Sequence, residues 1–261
     1  MMQPAVSWQI NLNTVLLKSF FFQSIQTLGA IMFIMLIGLI IDSKYVAVNY
    51  FEDAQWINNI LVVFLFIWVY HQSPKRSKEL LIYAALIAIV GEYMFSKLLG
   101  MYTYRLGNIP HYIPFGHGIV FIFIYNFSKK SEVKNRRKAI EKVFTISIFF
   151  TAFFFLIFKN DWFGFLLTLL VFFFLRNYPK EKLFYLTMFV FVLYTEVVGT
   201  FLECWKWPPI AFGKFSFMPS ANPPIGICFF YFGLDRGTMS IYKRKHKEAW
   251  ARLKRIRAIT A

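Results

Sequence analysis

The chain has 261 residues, 58% of them hydrophobic and only 16% charged, with 34 phenylalanines and a net charge of +16. A soluble domain of this length does not carry so much apolar surface, so the composition excludes a water-soluble globular protein and reads as a membrane class. The positive balance does not point to nucleic acid, because the cations lie in short segments between apolar runs, where they set topology and meet anionic lipid headgroups.

Eight apolar stretches follow one another along the chain: Phe20–Ile41, Trp56–Tyr70, Leu80–Leu99, Ile113–Phe127, Val143–Phe158, Trp162–Leu175, Leu183–Glu203 and Pro224–Tyr242. Each reads as a transmembrane helix, the fourth and sixth being short against the ~20 residues that a ~30 Å hydrocarbon core requires. The expected architecture is an all-α, polytopic membrane helix bundle over residues 1–242. No cleavable leader is visible before Phe20, so the first span is expected to stay in the mature chain. With eight spans and a cytoplasmic N-terminus, 23 of the 29 basic residues fall on one side. That asymmetry predicts cytoplasmic N- and C-termini, in the inner membrane if the source is bacterial. The remaining segment, 243–261, mixes Trp250, Leu253 and Ile256 with cations. It reads either as a helix lying on an anionic membrane surface or as a solvated basic tail.

The third and fourth spans resemble the seventh and eighth. Glu92 and Glu196 each lie within an apolar helix, about two turns before its outer end, and each has a hydroxyl four residues later, Ser96 and Thr200. Residues four apart share a helical face. Paired aromatics follow, Tyr102 and Tyr104 in one half, Trp205 and Trp207 in the other. Both halves then pass through prolines into Pro114-Phe115-Gly116 and Pro224-Ile225-Gly226. The pattern suggests a parallel four-plus-four repeat, residues 20–127 and 143–242, related by an axis along the membrane normal.

Eight residues of helix place both carboxylates roughly 12 Å below the outer interface. Ionisable groups at such depth are costly and face a bundle interior or cavity, which makes Glu92 and Glu196 candidates for catalysis. The plainer alternative is a carboxyl bonded to a neighbouring helix. His117, three residues after Pro114, lies at the same level and suits a proton relay, or else a hydrogen-bonded structural histidine. Ser96, Thr200, Tyr102, Tyr104, Trp205, Trp207 and Asn222 are the candidate substrate-binding residues. The tryptophans and prolines of the loop also read simply as interfacial anchors. Asp235, followed by Arg236, reads as a marker of the cytoplasmic interface.

Two cysteines, Cys204 and Cys228, define neither a disulfide framework nor a metal cluster and read as apolar cysteines. Four scattered histidines do not form a di-iron pattern, and nothing in the sequence calls for zinc or another cofactor. Phosphate-binding loops, dinucleotide fingerprints, Gly-x-Ser-x-Gly elbows and zinc-protease helices are all missing from the sequence.

The stretch from Gly91-Glu92 through Leu99-Gly100-Met101-Tyr102-Thr103-Tyr104, then Leu106-Gly107, Pro110 and Pro114, resembles the membrane carotenoid hydratases of the bacterioruberin-pathway type. The likeness covers roughly residues 91–124, with a looser echo in the Trp-x-Trp segment of the second half. It implies protonation of a carbon–carbon double bond in a polyene or isoprenoid, followed by water addition or ring closure. The residues suit that chemistry, since a carboxylic acid in an apolar site can deliver a proton, a second carboxylate can accept one, and aromatic faces favour a carbocation. The expected function is a membrane enzyme, hydratase- or cyclase-like and metal-independent, acting on a lipid-soluble isoprenoid or carotenoid-like substrate. Glu92 and Glu196 would be its acid–base pair. The alternatives are a small proton-coupled transporter or lipid-binding protein, and an assembly subunit without chemistry. Substrate identity and oligomeric state are not legible.

Overall fold

The computed structural model describes residues 28–259. The start of the first apolar stretch, Phe20 to Gln26 with Thr27, lies outside the described residues, as does Lys18. From Ala30 a helix, α1, runs to Ile41, and Ser43 caps the short α2, Lys44–Asn49, by accepting a hydrogen bond from the Val46 N–H. Two long helices follow, α3 over Gln55–Gln72 and α4 over Lys75–Glu92. Pro74 stands just ahead of α4, where its fixed φ and missing N–H cost nothing. Beyond Glu92 the helix widens into a π-helical turn, Tyr93–Leu98, a local unwinding often found where a helix carries a functional group.

Strand β1, Thr103–Tyr104, precedes α5, Tyr112–Phe127. The short α6, Ser131–Asn135, then leads into α7, Arg137–Lys159. Asn160 takes a left-handed conformation that turns the chain, and Asp161 caps α8, Trp162–Arg176. A 3-10 turn at Pro179–Glu181 opens α9, Lys182–Phe201. Strands β2, Trp205–Lys206, β3, Ile210–Ala211, and β4, Phe215–Pro219, fill the loop before α10, Cys228–Lys245. The chain closes with α11, Lys247–Ile259.

Helices therefore occupy each of the eight apolar stretches. Among the described residues, four segments are long and apolar enough to cross a membrane on their own: Ala30–Asn49, Lys75–Leu98, Arg137–Lys159 and Pro179–Phe201. Helices α5 and α8 are apolar but shorter. Several helices extend past the apolar run that marks them in the sequence. For example, α7 begins at Arg137 rather than Val143, and α10 runs to Lys245 rather than Tyr242. Long basic side chains extend their charges to water while their stems stay on apolar surface, so a run of cations does not end a helix.

In the bundle, α4 packs between α5 and α10, and α9 touches α1, α5, α7 and α10. Gly118 permits the close approach of α5 to α4, because a Cβ there would lie 3.0 Å from the Leu81 carbonyl oxygen. Peripheral helices keep one apolar face outward. Phe64 and Trp68 of α3, Phe150 and Phe158 of α7, and Phe173 of α8 are all exposed, and so many large apolar side chains left outward suit an apolar surrounding. Both cysteines are free and buried.

The two ends of the bundle differ in character. At one end β1 pairs antiparallel with β2, Thr103 opposite Lys206 and Tyr104 opposite Trp205. There the Arg105 guanidinium meets the fully buried Asp42 at 2.8 Å, and the Tyr112 hydroxyl donates to the other oxygen of Asp42 at 2.7 Å. The opposite end is basic. Arg76 lies over the rings of Tyr125, Tyr242 and Trp250, and His246 meets Glu79 at 2.7 Å, so the start of the tail folds back onto α4.

Candidate functional site

Glu92 ends the regular part of α4 and Glu196 lies in the last turns of α9, both buried. The β1–β2 ribbon hangs over them. Its register continues outward by one pair, so Tyr102 faces Trp207, with ring centroids 4.7 Å apart. Because side chains alternate along a strand, Tyr102, Tyr104, Trp205 and Trp207 all turn inward while Thr103 and Lys206 stay exposed. The rings form one contiguous cluster, Tyr102 edge-on to Tyr104 at 5.5 Å and Tyr104 to Trp205 at 6.1 Å.

The four rings serve the two carboxylates in pairs. The Tyr102 and Tyr104 hydroxyls donate to Glu92 Oε2 at 2.8 and 2.7 Å. The Trp205 and Trp207 indole N–H groups donate to Glu196 Oε2 at 2.9 and 3.0 Å, and the Tyr231 hydroxyl of α10 donates to Glu196 Oε1 at 3.2 Å. Burial, and after it the Glu92 charge, push the Tyr102 and Tyr104 hydroxyls well above their ordinary range, so both remain protonated and able to donate.

The two sets of donors differ chemically. An indole N–H only donates, so Glu196 Oε2, with two of them aimed at it, can only accept. A phenol both donates and accepts, so Glu92 can hold or release a proton while its two tyrosine partners reorient. Glu92 also borders an apolar cavity of about 120 Å³ between α1, α3, α5 and α9. His117, Trp205 and Tyr231 line the same cavity; Glu196 does not border it, but Trp205 and Tyr231 donate to Glu196 from its wall. A space of this size is near that of an engineered ~150 Å³ apolar cavity that stays dry and takes up benzene, so it admits one end of a longer apolar molecule. Its walls are mostly Ile, Leu, Met and Val side chains, with Glu92, His117, Asn58 and Thr195 among the polar groups that line it. On the far side of the ribbon lies a polar cleft of about 960 Å³, lined among others by Lys44, Arg105, Glu203 and Lys206. Tyr104 and Trp205 border it, and Trp205 thus stands between cleft and cavity.

The remaining candidates support this arrangement from behind. The Ser96 hydroxyl donates to the Tyr102 carbonyl at 3.2 Å, and Asn222 Oδ1 accepts from the Trp207 backbone N–H at 2.9 Å, so each fixes one strand of the ribbon. Thr200 instead bonds back to the Glu196 carbonyl of its own helix at 2.8 Å and does not reach a carboxylate. His117 stacks on Tyr231, ring centroids 5.5 Å apart, with its Nε2 3.4 Å from Asp235.

Three contributors were not legible as such. In the sequence Tyr231 is one aromatic among many on an apolar helix. Asp235 is fully buried against His117 rather than standing at an interface, because α10 continues for ten further residues before it ends. Asp161 carries no signal in the sequence beyond its place ahead of an apolar helix. It is fully buried and accepts from the N–H groups of Gly164, Ala221 and Ile225 at 3.0, 3.0 and 2.8 Å, which clamps the loop carrying Asn222 to the start of α8. Among the described residues, no group of three or more His, Cys, Asp or Glu side chains is placed to hold a metal ion.

Gly199 is the local condition for the cage. A Cβ there would overlap the Trp205 six-membered ring, so only glycine lets the indole reach Glu196 three residues earlier on the same face. Gly199→Ala should displace Trp205, cost about 1–3 kcal/mol as an overpacked core does, and alter the near-ultraviolet circular dichroism of the tryptophans. An unchanged spectrum would show that the indole does not depend on this contact.

No family model matches the chain, and no curated protein or solved structure is similar to it.

Proposed function

We propose that this protein is an integral membrane enzyme that acts on a lipid-soluble, isoprenoid or carotenoid-like molecule by acid–base chemistry at a carbon–carbon double bond. The observation that carries the reading is the unequal treatment of two buried carboxylates, one of which, Glu92, borders an apolar cavity. Glu92, adaptable and open to the cavity, is the proton donor. Glu196, whose Oε2 accepts from two indole N–H groups that cannot reverse, is the negative charge that stabilises a cation and receives its proton or orders a water. Trp205 and Tyr231, which line the cavity, offer their rings to the carbocation. Water addition returns a hydrated product and proton loss returns a ring-closed or rearranged isomer.

The sequence repeat accords with this picture, since each half supplies one helix glutamate and one pair of ring donors, and the two pairs meet across the ribbon. In this reading eight helices span the membrane, the basic end faces the cytoplasm, and basic loops and tail contact anionic headgroups. The test compares lipids and pigments from cells with and without the protein by mass spectrometry. A species heavier by one water, or an isomer of equal mass, in a polyene or isoprenoid series is the expected result.

A second reading, a proton-coupled transporter for a lipid-soluble molecule, is favoured by one feature: cavity and cleft lie on opposite sides of Trp205, as two access paths would. An unchanged lipid profile together with proton-gradient-dependent uptake into proteoliposomes would put that reading first.

A further inference from the structure

Three aspartates are fully buried, and two of them are compensated. Asp42 holds Arg105 and the Tyr112 hydroxyl, and Asp161 accepts three backbone N–H groups. Asp235 has neither. Among the described residues both of its carboxylate oxygens lack a well-formed hydrogen bond, and His117 Nε2 stands 3.4 Å from one of them. A buried carboxylate without compensation destabilises a fold, and an apolar residue of similar size would pack at less cost. Asp235 secures no loop, caps no helix and pairs with no permanent cation, so stability does not account for it.

What Asp235 does reach is a ring that borders the cavity. Tyr231 and Asp235 are four residues apart on α10 and therefore share one face. Tyr231 lies flat against the His117 imidazole, an interplanar angle of 27°, while Asp235 stands at its Nε2 edge. Nε2 is buried, and the His117 side chain lines the cavity beside Glu92. Of the two ring nitrogens, Nδ1 is the one left to meet a molecule in that space.

We propose that Asp235 is the positioning residue for His117: it takes the Nε2–H and so presents Nδ1 as the basic nitrogen to a hydroxyl group or water in the cavity. When such a group gives its proton to Nδ1, the imidazolium that forms carries its charge beside the Asp235 carboxylate, and the pair is then electrically neutral. Return of the same proton from Nδ1 restores the starting state. The chemical use of this proton rests on the acid–base reading above, whereas the fixed tautomer does not.

The test therefore reads the ring and not turnover. Protein labelled with 15N-histidine is reconstituted in lipid nanodiscs at alkaline pH, where imidazoles are neutral, and the His117 signals are assigned by their loss in His117→Gln. The expected spectrum shows a protonated Nε2 and an unprotonated Nδ1. Asp235→Asn keeps an acceptor oxygen and should keep that tautomer, while Asp235→Leu removes the acceptor and should give a mixture of both tautomers. A protonated Nδ1 in the wild-type protein overturns the proposal without any variant having to fold. So does a wild-type tautomer ratio in a folded Asp235→Leu protein. Loss of activity in cells with an unaltered His117 spectrum would likewise overturn the positioning role, leaving the Glu92 and Glu196 assignment to its own test.

Discussion

Cells carrying Glu92→Gln are expected to show the lipid and pigment profile of cells lacking the protein, with turnover down at least about a thousandfold, since general acid catalysis alone contributes roughly 10²–10⁴. The amide keeps the volume of the acid and can still accept from Tyr102 or Tyr104, so the cage is preserved. What it cannot do is give up a proton. Folding should be intact, shown by an unchanged elution profile and thermal midpoint in detergent. Glu196→Gln should behave differently. Its amide NH₂ must either face the Trp205 and Trp207 donors or turn to Tyr231, and the fixed negative charge disappears in both cases. Turnover should fall while substrate binding persists. Wild-type profiles in both variants would remove the acid–base assignment altogether.

The second large effect is structural. Asp161→Ala strands three buried N–H groups, and an unsatisfied buried donor costs roughly 1–3 kcal/mol. A loss of at least about 3 kcal/mol is expected, visible as a lowered thermal midpoint, together with release of the loop that holds Trp207 through Asn222. Asp161→Asn should cost less, because Oδ1 retains Gly164 and Ala221 and only the bond from Ile225 is replaced by opposed donors. The protonation state separates the two variants further. Burial pushes the Asp161 carboxyl upward from its ordinary 3.8, against the pull of its three backbone donors. The folded chain therefore holds this proton more tightly than the unfolded chain. The stabilising contribution of protonation is complete below 3.8 and is lost as pH rises through the folded value. Stability measured against pH in the range just above 3.8 should accordingly decline in the wild type relative to Asp161→Asn. Parallel curves for the two proteins would show that Asp161 does not titrate differently on folding.

How much of this was readable in the sequence depends on the distance between partners. The apolar stretches needed only local composition, and helices are found at all eight. The placement of Glu92 and Glu196 with Tyr102, Tyr104, Trp205 and Trp207 in one cluster was suggested by similar spacings in two segments, 10 and 12 residues in one and 9 and 11 in the other, a signal that survives without knowledge of tertiary contacts. Asp161 gave no such signal, because a carboxylate ahead of an apolar helix reads as an ordinary interfacial cap and its other partners lie some 60 residues away. The meeting of Asp235 with His117 joins α10 to α5, and no spacing within either helix announces it. Thr200 illustrates the opposite error. A hydroxyl four residues beyond a glutamate shares its face, yet a threonine on a helix readily satisfies itself on the carbonyl one turn back, and this one does.

The ribbon carries a consequence for how the chain can change. Its inward rings are set by alternation along two short strands, so one extra residue inserted between Ser96 and Tyr102, or between Gly199 and Trp205, would slip the pairing and send rings outward together. A substitution at any one of the four rings removes a single donor and leaves three. Length in these two connections is therefore held more tightly than the identity of any ring, and insertions are tolerated better in the β3–β4 hairpin, which carries none of the ring donors.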